Sequence, residues 1–241
     1  MSNQVVAGRN AVFEALRSGK SIDCIYLQKG GKVKGVERIL SLAKAAGVVV
    51  KQVEMQKLDD LAQGVVHQGV CAMVAPVDFV SLDQLFQIAD SRKQPPFLVI
   101  CDEILDPHNL GAIIRSAECA GAQGVILPKR RSAPVNSVVL KTSAGAAEHL
   151  ALCKVGNIAD TIRLLQDKGV WVYCADMDGE DYRKVDFSGP RALVVGSEGK
   201  GVSKLVKECC DKVVSLPLKG KINSLNASVA AGILLYQMID D

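Results

Sequence analysis

Apolar positions recur along this 241-residue chain with two distinct periods. In the first third, Val12, Phe13 and Leu16 make a helical stripe over residues 9–17, and "IDCIYLQ" at 22–28 alternates as a half-buried strand does. Val36, Ile39, Leu40 and Ala43 repeat at helical spacing over 35–46 and stop at Gly47, a helix-ending residue. "VVVKQV" then predicts a strand, "KLDDLAQ" a short helix and "GVCAMVA" another strand. The next stretch, "PVDFVSLDQLFQIADSRKQPP", changes character, with Pro76, a short helix and the Pro95–Pro96 pair. It is expected to be a linker. This divides the chain into a small α/β domain at 1–77, a linker at 78–94 and a second domain at 95–241.

From Phe97 the pattern restarts. "FLVIC" is a nearly unbroken apolar run, as a central parallel strand covered on both faces requires. A helix is predicted from about Asn109 to Ala120, then the strand "GVILP", a helix near 134–142, an apolar stretch at 150–155 and a helix at 157–168. The strands "VWVYCA" and "ALVVG", a short helix from Ser203 and the strand "KVVSLP" lead to a final helix that opens on the polar run beginning at Asn223. Strands alternating with helices predict a parallel sheet with helices on both faces. Ligands of such sheets bind at the carboxyl ends of the strands. Attention therefore falls on the loops after Cys101, Leu127, Gly196 and Leu216. Three of them, "DEILDPHNLGAIIRSA", "SEGKGVS" and "LKGKINSLNAS", are rich in Gly, Asn, Ser and carboxylates or lysines, and each precedes a helix.

With 49% apolar residues the chain has ample material for a core, and its longest apolar runs, such as 229–236, are too short to span a bilayer. The first twenty residues lack a basic segment followed by an apolar one, so a cytoplasmic protein without membrane attachment is expected. The eight Cys form no C-x-x-C pair and read as reduced thiols, and the three His stand far apart, so no metal site is expected. Net charge is only +3, but the basic residues cluster: Lys29, Lys32, Lys34 and Arg38; Lys129 to Arg131; Lys200, Lys204 and Lys207; Lys219 and Lys221. Such clusters in loops favour a phosphate-rich partner. Aromatics at 4% speak against broad base-stacking platforms.

Several motifs fail. "GSEGKG" is not the dinucleotide G-x-G-x-x-G and comes late in its domain, which disfavours a nucleotide-dependent oxidoreductase. "RSGKS" lacks the first glycine of a P-loop, since Glu14 occupies that place. There is no G-x-S-x-G elbow and no H-E-x-x-H.

What the loops do resemble, in order, are the three motifs of the SpoU (TrmH-like) family of S-adenosylmethionine-dependent RNA 2′-O-ribose methyltransferases. "DPHNLGAIIRSAECAGAQGVIL", "ALVVGSEGKGVSKLVKECCDKVVSLPL" and "INSLNASVAAGILLY" carry the likeness and cover most of 102–236. "VAGRNAVFEALRSG" and "VVHQGVCA" resemble the small RNA-binding domain of the subgroup that methylates a guanosine in the peptidyl-transferase region of 23S rRNA. The chain also lacks the basic C-terminal extension of the tRNA-modifying branch. The resemblance implies an L30e-like N-terminal α/β domain and a C-terminal α/β domain tied in a deep trefoil knot, the SPOUT fold. It implies S-adenosylmethionine as cofactor, no metal, and 23S rRNA or its precursor particle as partner. It also implies a homodimer packed through the knotted domain near the active site, where a guanidinium from the second subunit can serve the first. Alternatives are a tRNA ribose 2′-O-methyltransferase and a non-catalytic RNA-binding ribosome-assembly protein.

The implied reaction is attack of a ribose 2′-hydroxyl on a sulfonium methyl, where general-base help is worth about 10²–10⁴-fold. Arg115 matches the family's arginine in N-x-G-x-x-x-R. It is cast either as a base or as a cationic clamp on phosphate and oxyanion, and a guanidinium pKa above about 12 favours the clamp. Asn109 is expected to cap its helix and position the nucleotide, Glu198 to orient Arg115 or Asn226, and Asn226, one turn inside the last helix, to orient the ribose. Gly196 permits close backbone approach, Leu216 and Leu225 supply apolar walls, and Ser197, Leu218 and Ser224 complete the expected cofactor pocket. Small residues at 224, 227, 228, 230 and 231 let the threaded helix pack closely, and Asn223 and Ser224 can cap it or face ligand. Thr142 and Ser143 are weaker candidates for the same pocket, and His67 and Arg9 are candidates for RNA contact or for structural roles.

Overall fold

The alternating stretch Ile22–Gln28 is strand β2, with Ile22, Cys24, Ile25 and Leu27 buried. It pairs in parallel with β3 (Val49–Val53) and antiparallel with β4 (Val70–Val74), and β1 (Val5–Ala7) lies antiparallel on the far side of β4. Helices α1 (Arg9–Arg17) and α2 (Val36–Ala45) bury Val12, Leu16, Ile39 and Ala43 against this sheet. A separate cluster joins Leu58 and Ala62 of α3 (Met55–Ala62) to Cys71. Mixed pairing suits the alternating apolar pattern of this unit. The computed structural model describes residues 5–30, 35–222 and 224–239. They fall into two units, one up to Asp78 together with Val135–Ser137, the other Phe79–Pro134 and Val138 onward.

The second unit is built on a seven-stranded, wholly parallel sheet in the order β11-β9-β10-β6-β7-β8-β5. At its centre are β6 (Phe97–Cys101) and β10 (Arg191–Val195), in which every residue is buried, as apolar runs covered on both faces demand, with Arg191 at the start of β10 the one charged residue among them. Beside them run β7 (Gly124–Pro128), β8 (Ala151–Val155), β9 (Trp171–Asp181) and β11 (Lys212–Ser215). Helix α7 (Ile158–Asp167) packs Ile162 and Leu165 against Ile100, Val172 and Val194 in one core. Helices α5 (Pro107–Cys119) and α9 (Ala227–Gln237) pack on each other, with Gly232 set against Ser116.

The segment at 78–94 differs from the linker expected of it. Phe79–Val80 is β5, the edge strand beside β8, and Leu82–Arg92 is α4, opened by a full Ser81–Gln84 capping box. Leu85 is fully buried in the core of the second unit, over Gly124, where a Cβ would fall 2.4 Å from its Cδ2. The prolines that suggested a connector only frame the helix. Leu85→Ala is accordingly expected to destabilise this unit by about 2–5 kcal/mol in urea unfolding. A loss below about 0.5 kcal/mol would mark the helix as peripheral.

Candidate active site at the carboxyl ends of the parallel strands

Where β10 ends, Gly196 lies directly beneath the returning chain: a Cβ there would fall 2.1 Å from the carbonyl carbon of Gly201 and 2.2 Å from the amide nitrogen of Val202. Ser197 and Gly201 exchange backbone hydrogen bonds of 3.1 and 2.9 Å, which close Glu198, Gly199 and Lys200 into a tight turn. Buried Asp102, just past β6, fixes both ends of this loop. Its amide donates to the Val195 carbonyl at 2.8 Å, and its Oδ2 accepts the Ser203 amide at 2.8 Å. The turn is thus held on both sides and presents Glu198 outward.

The start of α9 is placed differently from the sequence expectation. The helix begins at Ala227, and Asn226 is its N-cap, not a residue one turn inside. Its Oδ1 accepts from the amides of Ser228 and Val229 at 3.0 and 3.3 Å, and from the Ser228 hydroxyl at 2.6 Å. With Oδ1 committed to the cap, Nδ2 is left to donate, and it does so to Asn109 Oδ1 at 2.9 Å and to Glu198 Oε1. Asn223 lies outside the described residues. Asn109 does not cap α5 either. Asp106 does, accepting the His108 amide at 3.0 Å, with Pro107 at the first helical position. Asn109 sits buried inside the first turn, its carbonyl free to receive Asn226. Three residues from separate segments, Asn109 in the first turn of α5, Glu198 in its turn and Asn226 at the cap of α9, are thereby joined through one amide.

Glu198 connects this amide to a cavity of about 430 Å³, lined by six of the expected residues: Gly196, Ser197, Leu216, Leu218, Ser224 and Leu225. Glu198 also faces it. Thr142 and Ser143 do not. Each hydroxyl bonds back to its own segment, Thr142 to the Val138 carbonyl at 2.8 Å and Ser143 to that of Leu140 at 3.0 Å. They buttress α5, where a Cβ on Gly111 would lie 2.7 Å from that of Thr142. Arg115 is exposed on α5, outside the cavity lining and without a hydrogen bond or ion pair among the described residues. Glu198 therefore engages Asn226 and not Arg115. In the first unit His67 is buried, with Nδ1 accepting from the Gly69 amide at 3.0 Å and Nε2 2.9 Å from Asp59, a turn-forming arrangement. Arg9 contacts Gln68 through Nε at 3.2 Å.

Residues 96–236 match the SpoU rRNA Methylase family, and residues 5–80 match the domain described as RNA 2′-O ribose methyltransferase substrate binding. The chain belongs to the SpoU rRNA methylase family. YacO of Bacillus subtilis, assigned by name to the TrmH family of tRNA/rRNA methyltransferases, is 43% identical over 235 residues, covering 97% of this chain and 94% of that protein. A TrmH-family relative from Staphylococcus haemolyticus is 43% identical over 239 residues, covering 99% and 96%. Among solved structures, the AdoMet-bound rRNA methyltransferase of Sinorhizobium meliloti superposes with a TM-score of 0.60 at 26% identity, covering 97% of this chain and 85% of that one. The A. aeolicus TrmH/SpoU tRNA modifying enzyme gives 0.55 at 28% identity, over 65% of this chain and 81% of its own.

One wall of the SpoU cavity was missed in the sequence. β9 pairs with β10 only as far as Cys174, and its pairing with β11 jumps from Cys174–Val213 to Glu180–Val214, so residues 175–179 bulge out of the sheet. Gly179 allows this, since a Cβ there would fall 2.6 Å from the backbone of Val213 and Val214. The bulge turns Asp176, Met177 and Asp178 into the cavity lining. Asp176 Oδ1 accepts the Asp178 amide at 3.2 Å and lies 2.9 Å from Nζ of Lys207 on α8 (Lys204–Cys209), which also stands 3.6 Å from Asp178. Partial burial pushes the Asp176 carboxyl up, but the Lys207 and backbone hydrogen bonds outweigh it and leave the carboxyl below its ordinary value. The same bond with Asp176 raises Lys207. The available signal was "ADMDGED", an acid-rich run at the carboxyl end of the strand beside β10.

Of the basic clusters, Lys207 is thus engaged internally, Lys29 pairs with Glu54 at 3.3 Å and Arg131 with Glu103 at 3.0 Å. Lys32 and Lys34 lie outside the described residues. All eight Cys are free thiols. Among the described residues no group of three or more His, Cys, Asp or Glu could hold a metal ion, and no helix is long and apolar enough to cross a membrane.

Proposed function

We propose that this SpoU-family protein methylates the 2′-hydroxyl of a guanosine ribose in 23S rRNA, with S-adenosylmethionine as methyl donor. The observation that carries the reading is the Asn109–Asn226–Glu198 network at the mouth of a cavity with leucine walls and an acidic side. The cavity chemistry fits that cofactor: Leu216, Leu218 and Leu225 suit an adenine, and Glu198 and Asp178 suit a cationic ligand. The S. meliloti neighbour is an AdoMet-bound rRNA methyltransferase. When bound, the cofactor supplies an electrophilic methyl group on sulfonium.

The remaining chemistry falls to the chain's own groups. Asn226 is pinned by its cap and by two acceptors, so it orients the ribose through Glu198 and Asn109, which it holds in one preorganised arrangement. Arg115, charged and unengaged, holds the target phosphate and stabilises the developing 2′-oxyanion. The reading includes the family's homodimer. Val229, Ile233 and Tyr236, at helical spacing on α9, are exposed at 50%, 39% and 58% and offer an apolar stripe to a second copy, and in the family's homodimer the guanidinium of one chain serves the other. It also includes the trefoil knot, for which the two cavity loops at 196–203 and 216–226 are the natural crossing elements, and a cytoplasmic setting alongside ribosomal RNA.

Asn226 gives a separable test of its two roles. Asn226→Ala is expected to cost about 1 kcal/mol of stability through the lost cap, and to lower methyl transfer as well. Asn226→Ser, which retains capping, is expected to restore the stability but not the transfer. Recovery of both would assign Asn226 to capping alone.

The reading is tested by methyl transfer from labelled S-adenosylmethionine to unmodified 23S rRNA fragments, 16S rRNA and tRNA transcripts, with product nucleosides analysed for 2′-O-methylguanosine. Label confined to 23S fragments is the expected result. Label in tRNA would retain the chemistry and replace the substrate, in keeping with the tRNA/rRNA naming of the Bacillus relative. Cofactor binding without transfer to any RNA would favour an assembly role.

A further inference from the structure

We infer that Asp176 accepts the ribose hydroxyls of the bound nucleoside cofactor, and that Lys207 is the residue that positions it. This rests on the S-adenosylmethionine reading above. Asp176 stands on the bulge of β9, the strand immediately beside β10, so it borders the same strand-end crevice as Gly196 and Ser197. In dinucleotide-binding α/β folds of a different topology an acid placed beside the nucleotide loop receives ribose hydroxyls, which shows that a carboxylate in such a place can do so.

The local geometry supports this assignment over a purely structural ion pair. The Asp176 side chain is only 16% exposed, and its Oδ1 is occupied by Lys207 and the Asp178 amide. Oδ2 lies against Gly201 in the cofactor turn, 3.5 Å from where a Cβ would stand, and the Met177 amide also bonds to the carboxylate. A carboxylate oxygen on a cavity wall carries lone pairs that ligand hydroxyls can fill. Lys207 offsets the charge of Asp176, 2.9 Å away, and stands farther, at 3.6 Å, from Asp178. What remains in the wall is an acceptor of low net charge, suited to a neutral hydroxyl pair more than to the cationic end of the cofactor. Asp178, 80% exposed, lacks this enclosure. The Gly-flanked turn on one side and the bulge on the other would then grip the nucleoside from two neighbouring strands.

The experiment is calorimetric titration of the full-length protein with S-adenosylmethionine, S-adenosylhomocysteine and the 2′,3′-dideoxy analogue of the latter. For Asp176→Ala, affinity for both natural ligands is expected to fall by about 10- to 100-fold, the range for a hydrogen bond to a charged group. Loss of the ribose hydroxyls should weaken the wild type by a similar factor and the variant by no more than about 2-fold. Lys207→Met is expected to weaken binding by about 3- to 10-fold while keeping the dependence on the hydroxyls. Asp176→Asn, nearly identical in shape, serves should the alanine variant unfold, and thermal melts establish the fold of each. Wild-type binding left unchanged in both Asp176 variants would overturn the inference and spare the cofactor reading. So would hydroxyl deletion that weakens variant and wild type alike, or a loss confined to S-adenosylmethionine, which would turn Asp176 towards the sulfonium. A wild type that binds none of the three would overturn both.

Discussion

Arg115→Ala is expected to lower the single-turnover rate of methyl transfer by at least about 100-fold, the scale set by deleting one preorganised electrostatic stabiliser. It should leave S-adenosylmethionine affinity within about 3-fold and the melting temperature unchanged, because an exposed side chain without partners contributes little to folding. Arg115 has no such partner among the described residues and does not line the cavity, so neither stability nor cofactor binding has a physical reason to depend on it. Arg115→Lys separates the two chemical roles. A lysine gives up its proton more readily than a guanidinium, so a base at this position would be preserved or improved by the change. A clamp that needs the planar two-pronged donor would recover only partly. Equal loss of rate and cofactor affinity in Arg115→Ala would instead make the residue structural.

Much of the second unit was legible because its physics is local. "FLVIC" and "ALVVG" are apolar without interruption, and only strands covered on both faces tolerate that, so the parallel sheet and the loops at its carboxyl ends followed. Six of the eight expected cofactor residues line the cavity: Gly196, Ser197, Leu216 and Leu218 follow directly on strand ends, and Ser224 and Leu225 stand just before α9. The exceptions have non-local causes. Thr142 and Ser143 were placed by their neighbours in sequence, but which side of α5 they meet is decided by Gly111, thirty-odd residues away. Asn226 precedes an apolar run in which several frames are compatible with a helix, and the frame is set by its bonds to Asn109 and Glu198, far off in the chain. The cap at Asp106 was readable, since Pro107 follows it at the favoured first position. So was the Ser81–Gln84 capping box, which outweighs the flanking prolines that suggested a linker. The bulge carrying Asp176 was not readable, because it exists only through a shift of register between β9 and β11.

The other large effect is expected from Gly196→Ala, which should abolish measurable cofactor binding and lower the melting temperature, although it adds one methyl group. The added Cβ would stand 2.1 to 2.3 Å from three backbone atoms of Gly201 and Val202. Side-chain rotation cannot relieve contacts with backbone, so the loop itself must shift. It resists from both ends: Ser197 and Gly201 are mutually hydrogen-bonded, and Asp102 ties Val195 on one side to Ser203 on the other. Overpacking of this kind costs about 1–3 kcal/mol or more. Any shift that relieves it displaces Glu198 from Asn226 and the turn from the cavity in the same movement. Gly220→Ala is the matched control, since that glycine has open space around its Cβ position in the neighbouring loop, and binding there should change by no more than about 2-fold. Titration of both variants with S-adenosylmethionine, with a thermal melt for each, decides the matter. Full affinity in Gly196→Ala would mean that the turn is pliable, and that the cofactor selects its shape instead of finding it already made.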